Sequence, residues 1–334
     1  MSSSEIVRCL AIDGGGIRGI IPALILQRLE GMLQQPLAEQ LHLVAGSSTG
    51  AVLALGLVTP SVGGRPLYSG ADLVHLYRNC GKRIFSGTNP FFDTLGQLFR
   101  AKYDGCELDK VLYDYFGEIS LKDTLTTVLV PSFETSVYSS WLFNSAKTKA
   151  GVHNNFYLRD VARASCAAPT YFPPAYVYPA DDSEVSYSFV DGGMTANNPA
   201  MCALVEAQHM WPDAKHYQVI SIGTGQVSQR LPYEDCAGLT MLGWAPKVID
   251  MLMTSASETV DFQLKQLAVS QPERYSYLRI QVDLDGIDPA MDNAEEDHIE
   301  SLTRLTQHYI QTHPDILLQA ASLIRANVSI ANKH

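Results

Sequence analysis

The sequence predicts an α/β protein of three layers, α/β/α, around a mainly parallel central sheet, and three strand-turn-helix units predict it. In each unit a short run rich in apolar and β-branched residues stops at glycines, and a helix follows. That alternation produces parallel strands covered on both faces.

The first unit runs from Ile6 to Ile12 as a strand, through Asp13-Gly14-Gly15-Gly16-Ile17-Arg18-Gly19, into a helix from Ile20 to Leu33. Ile21, Leu24, Ile25, Leu29 and Met32 recur there at helical spacing. Three consecutive glycines leave backbone N–H groups uncovered, and such amides suit a negative charge developing on oxygen. Gly14, Gly16 and Gly19 also satisfy a dinucleotide pattern, with Glu39 as its acidic residue. The next strand, however, leads straight into a serine turn. No Gly-Lys-Ser/Thr follows, which excludes a nucleotide P-loop.

The second unit places Gly46-Ser47-Ser48-Thr49-Gly50 between the apolar runs Leu41 to Ala45 and Ala51 to Val58. This G-x-S-x-G string between a strand and a helix is the pattern of a nucleophile elbow, which lifts the central serine above the end of a sheet. The first amides of the helix favour an anion at the same place. A serine hydrolase is expected, with Ser48 as nucleophile.

Acyl transfer then needs a base. The nine histidines are scattered: His42 and His216 begin strands, and His298, His308 and His313 fall on a polar helical face. The third unit offers Asp191 instead. There the strand Tyr187 to Val190 ends at Asp191-Gly192-Gly193, and Pro199 opens a helix from Ala200 to Met210. A carboxylate near its usual pKa of about 3.9 is a weak base, so Asp191 needs a dry site that raises it.

With Ala164 to Pro174 and Ser221 to Gly225 added, these segments resemble the patatin-like phospholipases over the stretch from Ile6 to about Gly225. The resemblance implies that Ser48 attacks a lipid ester and that Asp191 accepts its proton and later activates water. It implies that Gly14, Gly15 and Gly16 hold the oxyanion, that Arg18 braces the loop or meets the substrate phosphate, and that no metal or other cofactor takes part. The implied activity is phospholipase A-type release of fatty acid through an acyl-enzyme. Two other readings stay open: a soluble-ester hydrolase or transacylase, and an effector whose lipase activity is gated by a nucleotide or a partner protein. Residues 59 to 138 show no matching catalytic motif, and the likeness fades after Gly225.

At 334 residues the chain is expected to form one domain, with 6–203 as the catalytic core and 204–334 as its remaining strands and terminal helices. Hydrophobic content of 46% and charged content of 18% fit a folded globular chain. A net charge of −11 argues against nucleic acid and against purely electrostatic capture by an anionic membrane. The expected partner is a phospholipid or membrane surface; the oligomeric state stays open. Contact with lipid has to be apolar, and the crowd of Leu, Met and Trp from Leu239 to Met253 is either such a surface or an ordinary buried helix. Six dispersed cysteines without a C-x-x-C pair fit reduced thiols. Met1 to Glu5 carries no basic region, so no secretory signal is expected. The expected location is cytoplasmic, with peripheral membrane contact. The stretch Asp283 to Asp288 has its glycine too early for a calcium loop. Helical spacing over Glu295 to Tyr309 and Asp315 to Val328 predicts terminal helices packed on the sheet.

Overall fold

A computed structural model describes residues 5–85, 101–181, 184–226 and 231–325, apart from the side chains at 241, 242, 245 and 246. The three predicted units all form. The first comprises strand β1 (Ile6–Ile12) and helix α1 (Ile20–Leu33); the second comprises β2 (Leu43–Gly46) and α2 (Thr49–Val58). Helices α3 (Gly70–Ile84) and α4 (Cys106–Phe116) precede β3 (Thr127–Glu134), β4 (Ser139–Asn144) and the short α5 (Ser145–Lys149). Next come α6 (Leu158–Ser165), β5 (Ala175–Val177), β6 (Tyr187–Val190), the single turn α7 (Gly193–Ala196) and α8 (Ala200–Met210). The chain ends with β7 (His216–Ile222), α9 (Tyr233–Cys236), α10 (Met241–Ser270), β8 (Tyr275–Ile280), α11 (Glu296–Thr312) and α12 (Pro314–Arg325). Residues 326 to 328 of the last predicted helix lie outside the described residues.

The sheet has the order β5-β6-β3-β2-β1-β7-β8, with β4 also paired to β3. Its middle is parallel throughout: β1 pairs in parallel with β2 and β7, β2 with β3, and β7 with β8. The β4, β5 and β6 edge is antiparallel.

Period-two side chains explain why the middle strands read as continuous apolar runs. Val7, Cys9 and Ala11 of β1 face one core with Ala203, Ala207 and Leu264, while Leu10 and Ile12 face the other with α1 and α2. β7 divides in the same way, with Tyr217 and Val219 on the first side and Ile220 and Ile222 on the second. Helices thus cover both faces, as the three-layer expectation requires. The terminal helices depart from it in one respect: α11 and α12 pack chiefly on α1, one layer further out than the sheet. His298 departs from its predicted polar face and is buried there, 8% exposed.

Because every parallel strand ends on the same side, the turns after β1, β2 and β7 converge there. The turn after β6 joins them through β3. Open parallel sheets bind ligands along this carboxyl edge.

Candidate active site

Ser48 sits between β2 and α2 with φ 52° and ψ −122°. This is a strained conformation for a residue with a side chain, and strain of this kind collects where a fold must aim a reactive group. Tight approach sets the glycines around it. A Cβ on Gly46 would lie 2.0 Å from the Gly50 carbonyl oxygen, and one on Gly50 would lie 2.2 Å from that of Ile12. The turn therefore closes only without side chains at those two positions, and Ser48 is pushed out over the sheet edge.

Asp191 follows β6 directly, and the Ser48 hydroxyl donates to its Oδ2 at 2.7 Å. Its other oxygen accepts the Gly193 N–H at 2.7 Å. At 2% exposure the carboxyl is almost dry. Burial pushes its pKa up to about 6, against the lowering effect of the Gly193 amide and the Ser48 hydroxyl. The dry environment that sequence reasoning required of a carboxylate base is present.

Around this pair stand residues that had no role assigned from sequence. The Ser48 N–H donates to Ser165 Oγ at 2.9 Å, and that hydroxyl donates to the Pro131 carbonyl at 2.8 Å. The Asp191 and Gly192 N–H groups donate to the carbonyls of Ala167 and Ser165, both at 3.0 Å. The Ala164 to Pro174 segment, then, is the frame that holds serine and aspartate in register. Only its likeness to a family signalled it, since its partners are remote in sequence.

The glycine loop lies against the serine: a Cβ on Gly14 would come within 3.2 Å of Ser48 Cβ. One expectation about the loop is corrected. The Gly14 N–H donates to the Asn197 carbonyl at 3.1 Å, so that amide is occupied and does not face a ligand. The Gly14 carbonyl in turn accepts from Thr224 Oγ1 at 2.6 Å. Gly15 and Gly16 line the same cavity as Ser48, and among the described residues no backbone acceptor takes their N–H groups. Gly16 has φ +58°, and its hypothetical Cβ would collide with the Met291 carbonyl at 2.1 Å, so that position demands glycine.

Two buried cations anchor the loop. Arg18, 7% exposed, donates from Nε to the Gly15 carbonyl at 3.4 Å, which favours its bracing role. Burial lowers its pKa, opposed by the Asp250 carboxylate. Arg279 on β8 grips Asp13 with both terminal nitrogens, at 2.9 and 2.5 Å, and Ser221 Oγ at 2.6 Å. No sequence signal marked Arg279, because nothing local ties it to Asp13.

Two cavities adjoin here, and the pair lines the first of them. The first, about 990 Å³ including its mouth, runs from Ser48 and Asp191 between α3 and α4, past Leu76, Ile84, Leu108 and Val111. The second is a wide polar cleft that holds Arg18, Asp250, Glu258 and Arg279 and shares Tyr171, Ile249, Met253 and Met291 with the first. No histidine lines either one among the described residues. His216 is held at the opposite, amino end of β7 by the Glu273 carbonyl and Ser276.

The patatin-like phospholipase profile matches residues 10–204, a span that includes the glycine loop, the serine turn and the aspartate. The chain belongs to the patatin-like phospholipase family. Membership in this family of lipid acyl hydrolases assigns the chain that general activity. Patatin-like protein 4 of Arabidopsis thaliana is 31% identical over 92% of this chain and 84% of its own length. Patatin-like protein 2 of Oryza sativa subsp. indica is 32% identical over 90% of this chain and 83% of its own. Patatin-04/09 of Solanum tuberosum is 30% identical over 90% and 83%. The solved structure of VipD from Legionella pneumophila aligns over 91% of this chain and 67% of its own at 12% identity, with a TM-score of 0.37, a likeness too distant to inform the site. Among the described residues, no helix is long and apolar enough to cross a membrane, and no group of His, Cys, Asp and Glu is arranged to hold a metal ion.

Proposed function

We propose that this patatin-like protein is a phospholipase of A type, cleaving a fatty-acyl ester of a glycerophospholipid with Ser48 as nucleophile and Asp191 as general base. The observation that carries the reading is the 2.7 Å hydrogen bond from a strained serine to a buried carboxylate at the mouth of an apolar cavity.

The acyl chain lies in the apolar cavity between α3 and α4. The glycerol and head group lie in the polar cleft. Asp191 takes the Ser48 proton as Oγ attacks the ester carbonyl, and the Gly15 and Gly16 amides receive the oxyanion. As the intermediate collapses, the carboxyl returns that proton to the departing lysolipid alcohol. The acyl group stays on Ser48. Water then enters, gives its proton to Asp191 and attacks the acyl-enzyme, and fatty acid leaves as Oγ is reprotonated. A carboxylate raised to about 6 is poised for both transfers, being ionised at neutral pH yet far more basic than an exposed aspartate.

Fatty-acid release from phosphatidylcholine vesicles tests this. Ser48→Ala is expected to lower it by roughly 10³-fold or more with the fold intact. Release at the wild-type rate would remove Ser48 from the chemistry.

A further inference from the structure

Helix α10 carries three different faces. Its inward face, with Ser257 and Leu264 buried, closes on β8 and α8. One flank sets Asp250, Thr254, Glu258, Asp261 and Lys265 along the polar cleft. The remaining face points outward and is apolar near the helix start, with Val248 41%, Met251 52% and Leu252 58% exposed. These three fall within about 100° of arc on an α-helix.

Position gives this patch its meaning. Ile249 and Met253, interleaved with it in sequence, line the apolar cavity that opens at Ser48, and Met251 lines the cleft beside it. Met194, 47% exposed, continues the apolar rim from the aspartate turn. An apolar surface contiguous with the mouth of an acyl cavity faces the place from which a lipid must come. Met and Leu fit it, because unbranched and γ-branched chains pack against irregular hydrocarbon.

We infer that the outward face of the first half of α10, centred on Val248, Met251 and Leu252, is the surface by which the protein docks on a lipid bilayer, holding the cavity mouth against the headgroup layer. The inference rests on the phospholipase reading for its choice of lipid as occupant. Docking is by shallow apolar insertion and not by charge. The net charge of −11 repels anionic surfaces, and Asp250 and Glu258 flank the patch. A bilayer of zwitterionic lipid therefore holds the protein better than one enriched in anionic lipid.

The test uses the full chain and vesicles of ether-linked phosphatidylcholine, which hold no acyl ester, so binding is read apart from hydrolysis. Cosedimentation of wild type and of Ser48→Ala is expected to be equal. V248S/L252S, at two exposed positions that line neither cavity, is expected to lower partitioning by about tenfold or more. The same variant should lose a similar factor against long-chain phosphatidylcholine vesicles while hydrolysing a soluble short-chain ester at the wild-type rate. Substituting Val269→Ser, exposed on the same helix but far from the mouth, should change neither.

Undiminished vesicle binding by V248S/L252S overturns the inference. So does a change in oligomeric mass on sedimentation, which would make the patch a contact between copies of the chain. Equal losses on vesicle and soluble ester with binding retained would also overturn it. If wild type binds the ether-lipid vesicles through this patch yet releases no fatty acid from ester lipids, docking stands and the phospholipase reading falls.

Discussion

The proposed chemistry of Ser48 depends on one carboxyl. Asp191 is 2% exposed, and its pKa is raised by burial to about 6. As the proposed base it must be ionised, so kcat/KM on a soluble ester is expected to rise tenfold per pH unit below about 6 and to level off above it; a profile flat from pH 5 to 8 would argue against this assignment. The same shift has a stability consequence. The folded protein binds this proton more tightly than the unfolded chain, so the stabilisation is complete below the unfolded pKa and is lost as pH rises through the folded value. Asp191→Asn escapes that loss and can still hydrogen-bond both Ser48 and the Gly193 amide. It should be nearly inactive yet more stable than wild type at pH 8, by ~2–3 kcal/mol from a shift of this size, measured by denaturant unfolding. Ser48 and Asp191 were legible in the sequence because each sits in a short local motif whose glycines report the turn. The Gly14 amide was misread for the opposite reason. Its acceptor, the Asn197 carbonyl, is contributed by a segment remote in sequence, and no local pattern discloses which of three adjacent N–H groups is already occupied.

At the scale of elements, the glycine loop is held in place by its neighbours. Thr224 after β7 and Arg279 on β8 clamp its backbone and its aspartate. Thr224→Val keeps the volume and removes the hydroxyl that bonds the Gly14 carbonyl, which lets the Gly15 and Gly16 amides proposed to receive the oxyanion drift. The expected result is a fall in kcat of about tenfold to a hundredfold with KM little changed; a change in KM alone would assign Thr224 to binding. Arg279→Met leaves Asp13 buried without its partner and should cost about 3–5 kcal/mol in denaturant unfolding. Ser221 to Gly225 stood out in the sequence as a family-like stretch, but its function did not, since it lies in contacts with β1 and β8. Helix α10 was legible as an apolar crowd from Leu239 to Met253. That crowd divides between the cavity and the outside in a way the spacing alone did not reveal. Met253 faces the site and Leu252 faces out, so the helix is neither wholly buried nor simply a lid.

For the molecule as a whole, the parallel middle of the sheet followed from continuous apolar strands, whereas the strand order and the antiparallel edge rest on pairings between distant segments. The sheet gathers turns from β1, β2, β6 and β7 at one edge, and the helices on one face enclose the apolar cavity. Neither α3 nor α4 carries a motif, and their pocket-lining role emerges only once α3 packs on α1, α4 packs on α6, and the two meet. Val111 of α4 lines this cavity and is 1% exposed. Val111→Phe is expected to lower release of a sixteen-carbon chain relative to a six-carbon chain by severalfold; an unchanged ratio would place the acyl chain elsewhere. The central claim, that a Ser48 activated by Asp191 performs the chemistry, is tested most directly by treating the protein with a long-chain alkyl fluorophosphonate and locating the adduct by peptide mass spectrometry. One phosphonylated residue, Ser48, is expected in the wild type, with labelling slowed by at least about a hundredfold in Asp191→Asn. An adduct on any other residue, or equally fast labelling of the variant, would contradict it.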